Sequence, residues 1–304
     1  MTSIITRRPS IVLATGGPTL EAEGTTASTA ALAAHFQSTG HTFAVVDVAQ
    51  LEDLVAALRR VDLVFNAVHG RGGEDGGLHY LAELAGGVPV TGPAWWTHYL
   101  GADKIGFKAW ASRHVRVPRN HDEPGPFPHG FVSKPRFGGG SIGLTATPVI
   151  DDDTLDAGTV VEEYIPGRII TCCIYPRLAE RMPLLLIEPA GTGLYDEAAK
   201  RGRADIGYRV IPLASAAWAE QVDASSLQLY WLLGGRGPIR FDWIIEDGTD
   251  DPVLLEVNTN PGWRPAGNMG RIVTAAGRTY HDLVDTVIVE ALDCNPTGDK
   301  DWSR

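Results

Sequence analysis

The chain has 304 residues, 44% of them hydrophobic, and a formal charge of −11 at pH 7. That length supports two or three packed units rather than a single pair of layers, and the acidic balance argues against nucleic acid or an anionic membrane surface as a partner. No apolar run is long enough for a bilayer-spanning helix. The three cysteines show no CxxC spacing, which speaks against a disulfide framework or a thiolate metal site.

In chain order, MTSIITRRPSIVLATGG carries Arg7 and Arg8 ahead of an apolar run too short for a signal segment, so SIVLAT is expected as a first strand in a cytoplasmic protein. ASTAALAAHFQSTG reads as a helix, TFAVVDV as a strand, LEDLVAALRR as a helix and VDLVFNAV as a strand. LHYLAELAGG is then helical and VPVTG a further strand. This alternation predicts a small open parallel sheet. The loops GGPTLEAEG and HGRGGEDGG follow the carboxyl ends of its strands, where ligands of such sheets collect. The pattern then turns helical through TGPAWWTHYLGADKIGFKAWASRHV. A β-rich stretch follows, with FVSKP, LTATPVI, TVVEEYIPG, RIITCCIYP and PLLLIEP as strands. GTGLYDEAAKRGRADIGYRV is polar and long enough to suggest a functional lid. SAAWAEQVDASSLQLYWLLGG predicts a helix, IRFDWIIEDG and PVLLEVN an antiparallel hairpin, and RTYHDLVDTVIVEAL a last helix. Cys172 and Cys173 are adjacent on an expected strand that sends them to opposite faces, as idle buried thiols; Cys294 lies near the tail.

Three stretches carry chemistry. Alternate residues of a strand share a face, so Arg240 with Asp242, and Glu256 with Asn258, pair within the hairpin. Two carboxylates and an amide converging beside an arginine are hard oxygen donors suited to Mg2+; a solvated hairpin with a surface ion pair is the alternative. KPRFGGGSIG places Lys134 before a run of glycines, as a phosphate-cradling loop requires. It lacks the Gly-Lys-Ser/Thr of a Walker loop, and a flexible hairpin would give the same pattern. VVEEYIPG sets paired acids, Glu162 and Glu163, before a turn; such pairs are commonly solvated charge.

The order of GGPTLEAE, VFNAVHGRGGEDG, ADK, FVSKPRFGGGSIG, VVEEYIPGR, LYDEAAK, RFD and LLEVNTNPG resembles the ATP-grasp ligases over nearly the whole chain, most closely the D-alanine–D-alanine ligase branch. The resemblance implies an α/β and α+β architecture. Its parts are an N-terminal domain with an open parallel sheet (residues 1–97), a central subdomain (98–166) and a C-terminal catalytic subdomain (167–304), with ATP held between two antiparallel sheets. It implies that Asp242, Glu256 and Asn258 hold two Mg2+ ions, with Mn2+ as a substitute. Lys104 and Lys134 match phosphate-contacting lysines, and Gly138, Gly139, Gly140, Ser141 and Gly143 the loop over the phosphates. Glu162 matches an adenine-contacting acid, with Glu163, Tyr164 and Ile165 as the hinge around the base, and Lys200 a lid lysine. Arg240 and the Gly262 N–H match oxyanion donors, Glu23 the acid for an amino-acid ammonium, and His69 a residue beside the substrate carboxylate.

The implied reaction makes an acyl phosphate from a carboxylate and ATP, which an amine then attacks, in a homodimer. Four positions depart from the family pattern. Gly140 and Gly267 stand where serines are usual, Arg201 where a tyrosine follows the lid lysine, and Ile169 where an acid meets the ribose; Asn268 adjoins Gly267. These departures favour a small amino-acid substrate other than that of a D-alanine–D-alanine ligase, joined to a different amine or closed on itself, as in forming D-cycloserine from O-ureido-D-serine. A nucleotide-binding regulator without catalysis would not need Arg240, Asp242, Glu256 and Asn258 together. A dehydrogenase ranks last, because GGPTLEAEG lacks GxGxxG spacing.

Overall fold

The computed structural model describes residues 8–122, 126–149, 158–189 and 206–293. Strands β1 (Ser10–Thr15), β2 (Thr42–Asp47) and β3 (Leu63–Asn66) lie parallel in the order β2-β1-β3. Helices α1 (Ala22–Thr39) and α2 (Leu51–Leu58) make the crossovers. Helix α1 stops at Gly40, whose φ of 70° is left-handed and whose N–H closes onto the Gln37 carbonyl. Strand β1 is buried on both faces, as a covered parallel sheet requires. Ile11 and Leu13 share a core with Leu32 and Phe36 of α1, while Val12 and Ala14 meet Leu54 and Leu58 of α2.

The expected strand at VPVTG reduces to a single bridge from Val64 to Val90. Pro89 has no N–H to offer a ladder; its carbonyl accepts from Val64 N–H at 2.9 Å, and Thr91 N–H donates to the Val64 carbonyl at 3.0 Å. Helices α3 (Gly77–Leu84), α4 (Trp95–Ala102) and α5 (Lys104–Ala111) follow. Extended backbone at Asp103 separates the last two, and its carboxylate caps α5 by accepting from Ile105 N–H at 3.1 Å.

Two antiparallel sheets come next. The smaller has the order β5-β4-β6, from β4 (Phe131–Pro135), β5 (Thr145–Thr147) and β6 (Thr159–Glu163). Here the strand expected at LTATPVI contracts to three residues. The larger has the order β11-β10-β7-β8-β9, from β7 (Gly167–Ile174), β8 (Leu184–Pro189), β9 (Ile206–Ile211), β10 (Ile239–Glu246) and β11 (Pro252–Asn258). The end of the stretch read as a polar lid is therefore an edge strand, β9, paired with β8 from Leu184↔Ile211 to Pro189↔Ile206. Its alternation of Ile, Tyr and Val with polar residues was hidden by the loop-like residues before it. Helix α6 (Ala217–Leu232) covers one face of this sheet. Helix α7 (Asn268–Ala275), not foreseen, and α8 (Tyr280–Asp293) return to pack on the parallel sheet.

Strand β7 shows how the layers join. Cys172 packs with Leu229, Tyr230 and Phe241 under α6, whereas Cys173 enters the core shared by β1, β3, α1, α7 and α8. Adjacent strand residues thus belong to different cores, as their alternation requires. Burial pushes the Cys173 thiol up to about 12 and raises Cys172 as well. In a Cys294→Ser background, a thiol reagent at mildly alkaline pH is expected to leave both unmodified until denaturant is added; rapid labelling of the native chain would contradict their burial. Phe241, fully buried, is expected to cost about 3–5 kcal/mol as Phe241→Ala, read as a lower denaturant midpoint.

Candidate active site

Strands β4 and β6 on one side, and β7, β10 and β11 on the other, enclose a cleft roofed by the glycine-rich loop. It adjoins a wider cavity of ≈ 590 Å³ bounded by that loop, the loops after β1 and β3, and the ends of β10 and β11.

The floor follows from strand alternation. Ile239, Phe241, Trp243 and Ile245 of β10 are buried, so Arg240, Asp242 and Ile244 face the other way. Across the hairpin Arg240 pairs with Asn258 and Asp242 with Glu256, with a register shift after Asp242. Asp242 and Glu256 line the cleft, and Glu256 also lines the wider cavity together with Arg240 and Asn258. Asp242 accepts from Thr171 Oγ1 at 2.8 Å, Arg240 Nη2 at 2.9 Å and Arg240 Nε at 3.1 Å. Among the described residues no cluster of three or more His, Cys, Asp or Glu could hold a metal ion. The donor set is therefore two carboxylates and one amide, which suits an ion that takes most of its ligands from phosphate and water.

Two contacts clamp the glycine-rich loop at its start. Arg136 makes a two-pronged ion pair with Asp103, at 2.7 and 2.6 Å, and Lys104 Nζ donates to the Gly138 carbonyl. Gly138 has a φ of 108°, open only to glycine, and Ser141 is left-handed at 57°. Gly138, Gly139, Ser141 and Lys104 line the cleft, and Gly140 lines the wider cavity. Gly143 lies against the Pro135 ring.

Glu162 is buried, and its carboxylate is gripped by two lysines, Lys134 at 2.5 Å and Lys108. It lines the cleft, and both its oxygens serve an ion-pair network at the cleft wall. Lys108 was missed in the sequence, although it stands four residues after Lys104 on α5 and so shares its helix face. Burial, then the Lys134 ammonium, push Lys108 well below its ordinary range. Of the hinge, Glu163 directs its carboxylate to Arg119 Nε at 2.9 Å, and Tyr164 N–H donates to the Gly130 carbonyl at 2.9 Å. Glu163, Tyr164 and Ile165 all line the cleft.

At the amino-acid end, neither Glu23 nor His69 is among the residues lining the wider cavity. Glu23 stands exposed in the first turn of α1, where an acid suits the helix dipole, and it is Glu21, just before the helix, that lines the wider cavity. His69 is buried with both ring nitrogens engaged: Nδ1 lies 3.3 Å from Glu74 and Nε2 2.8 Å from Ser28 Oγ. The ring braces the loop, and its neighbours Gly70 and Arg71 line the cavity instead. Ser28 Oγ also accepts from Trp263 N–H at 3.2 Å, so this bracing reaches the turn bearing Gly262, on which a Cβ would lie 4.0 Å from His69 Nε2. Lys200 and Arg201 lie outside the described residues.

A family model described as D-ala D-ala ligase C-terminus matches residues 116–289. The D-alanine–D-alanine ligase of Acidiphilium cryptum (strain JF-5) is 32% identical over 271 residues, 82% of this chain and 87% of its own length. That of Bacillus anthracis is 31% identical over 261 residues, 79% of this chain and 83% of its own. A solved structure of D-alanine–D-alanine ligase from Bacillus anthracis complexed with ATP superimposes with a TM-score of 0.75 at 25% identity, covering 94% of this chain and 98% of that one. The D-Ala:D-Ser ligase of Enterococcus faecalis shares the fold at a TM-score of 0.72 and 21% identity, covering 94% and 100%. With a cleft between two antiparallel sheets and these relatives along most of its length, the chain belongs to the D-alanine–D-alanine ligase branch of the ATP-grasp family, enzymes that form C–N bonds using ATP.

Proposed function

We propose that the chain is an ATP- and Mg2+-dependent carboxylate–amine ligase that activates a small amino acid as its acyl phosphate, with a specificity altered from that of a D-alanine–D-alanine ligase. The observation that carries this reading is the hairpin register, which sets Asp242 against Glu256 and Arg240 against Asn258 beneath a glycine-rich loop. Asp242, Glu256 and Asn258 would hold magnesium, whose chemistry is to neutralise phosphate charge during transfer.

The substrate carboxylate oxygen attacks the γ-phosphorus of ATP, the bond to the β–γ bridging oxygen breaks, and ADP leaves. The amine nitrogen then attacks the acyl carbon, the carbon–oxygen bond to phosphate breaks, and the nitrogen gives up its proton. Lys104 and the loop amides orient the phosphates. Arg240 and Gly262 N–H stabilise the oxyanion of the tetrahedral intermediate. Glu21, rather than Glu23, takes the amino-acid ammonium.

Altered specificity is supported at position 140. Cβ atoms built on Gly139 and Gly140 would stand 2.7 and 3.5 Å from Glu21 carboxylate oxygens. A serine at 140 could therefore bond Glu21, and glycine supplies no such donor. A site shaped by lost hydrogen bonds discriminates against the substrate that needed them. Gly267 likewise offers no side chain to a second amino acid's carboxylate, which favours closure of one amino-acid derivative on itself.

Phosphate release should be measured across D- and L-amino acids and their O-ureido derivatives, with products read by mass. Release that requires a carboxylate substrate and is abolished by EDTA, then restored by Mg2+ and partly by Mn2+, is expected; release indifferent to every amino acid would defeat the reading. Release with one amino acid and a lighter cyclic product identifies ring closure, and a requirement for two identifies ligation. Arg240→Met is expected to lower kcat by about 10²–10³-fold with a much smaller change in KM for ATP. An equal loss from Glu23→Gln and none from Glu21→Gln would reverse the assignment of the ammonium-holding acid.

A further inference from the structure

Behind the wider cavity lies a buried pair of histidines that the proposed chemistry does not use. His79 on α3 and His98 on α4 are 7% and 0% exposed, with ring centroids 4.2 Å apart. His79 Nε2 stands 3.0 Å from the Thr91 carbonyl and 3.2 Å from His98 Nε2. His98 Nδ1 stands 2.7 Å from the hydroxyl of Thr259, which follows Asn258 and lines the cavity with Lys104 and Arg240.

The partners fix the protons. A carbonyl only accepts, so His79 carries its hydrogen on Nε2. A second hydrogen on His79 Nδ1 would be a buried donor, and that atom has no hydrogen-bond partner among the described residues. His79 is therefore neutral, and burial lowers its pKa to about 4. An Nε2–H cannot receive a hydrogen bond in the ring plane, so the facing His98 Nε2 is bare. His98, held neutral by burial and by its neighbour, then bears its hydrogen on Nδ1 and donates to Thr259 Oγ1. With one lone pair of Thr259 taken, its own O–H is turned away from His98.

We propose that Thr259 donates its hydroxyl hydrogen to an anionic oxygen of the bound substrates, and that His98 and His79 are the positioning residues that set this direction. The cations Lys104 and Arg240 on the same cavity make an anion the fitting recipient. The proposal rests on the ligase reading for its recipient, but the proton arrangement stands on the pair itself.

Nitrogen-15 NMR of the full chain labelled at histidine tests that arrangement without turnover. After assignment with His79→Gln and His98→Asn, one imidazole should be protonated at Nε2 alone (His79) and one at Nδ1 alone (His98). Protonation of His98 at Nε2 overturns the proposal. In turnover, Thr259→Val and His98→Leu should each lose about tenfold in kcat/KM, the worth of one well-placed hydrogen bond. His98→Asn, whose amide puts a donor where Nδ1–H stood, should stay within about threefold of the parent on the same scale. A raised KM for ATP in Thr259→Val identifies a phosphate oxygen as recipient, and a raised KM for the amino acid a carboxylate. Parent-like kcat and KM values in Thr259→Val defeat the proposal, whatever the melting temperatures. A chain inert with every amino acid would defeat the ligase reading instead, leaving the His98 tautomer to decide the matter.

Discussion

The rest of the site depends on one backbone constraint, the register of β10 against β11. Antiparallel pairing sets Asp242 opposite Glu256 and Arg240 opposite Asn258, and alternation turns all four to the cleft face. A slip of one residue would send Phe241 and Trp243 into the cleft and bury Asp242 under α6. The apolar face prevents it, since Phe241, Trp243 and Ile245 are fully enclosed there. Positioning of the charged face is thus secured by hydrophobic packing on the opposite one. Two like charges side by side are costly unless a cation meets them. Arg240 serves Asp242 in that role, and Thr171 donates to it as well.

A second constraint is the turn after β11, which is held from three directions. Asn260 Nδ2 donates to the Val68 carbonyl at 2.9 Å, Thr259 meets His98, and Trp263 N–H reaches Ser28. These partners belong to the loop after β3, α4 and α1, so the turn that presents Asn258 and Gly262 is located by segments distant in sequence. The same region carries the core that joins β1 and β3 to α7 and α8. Side-chain hydrogen bonds set its detail, and buried apolar surface sets its place. Buried polar networks of this kind specify geometry because each unmet partner is expensive.

The loop side of the site follows a different logic. Lys104, Arg136 and Asp103 clamp the glycine-rich loop at its base, while Gly138 adopts backbone angles closed to other residues. Beneath it, Glu162 pairs with both Lys108 and Lys134, so the acid at the cleft wall is the centre of a buried ion-pair network. Glycine at 139 and 140 lets the loop approach Glu21 closely.

The sequence by itself determined the element types, because hydrophobic periodicity and turn residues act locally. The parallel first sheet, the two-faced strand with Cys172 and Cys173, and the hairpin with its paired acids were all readable that way. It also determined, through ordered motifs, which branch of enzymes the chain resembles. It misjudged VPVTG, where a proline starves the ladder of a donor, and β9, whose strand pattern is too short to stand out from a polar stretch. Only the tertiary structure separated the placement of Glu23 from that of Glu21, since helix α1 begins between them and turns one outward and the other to the cavity. It alone showed His69 spent on Ser28 and Glu74, Lys108 paired with Glu162, and two histidines meeting behind Thr259. The reason is physical: a side chain's periodicity is written in its neighbours along the chain, but its hydrogen-bond partner is whatever folding brings within 3 Å.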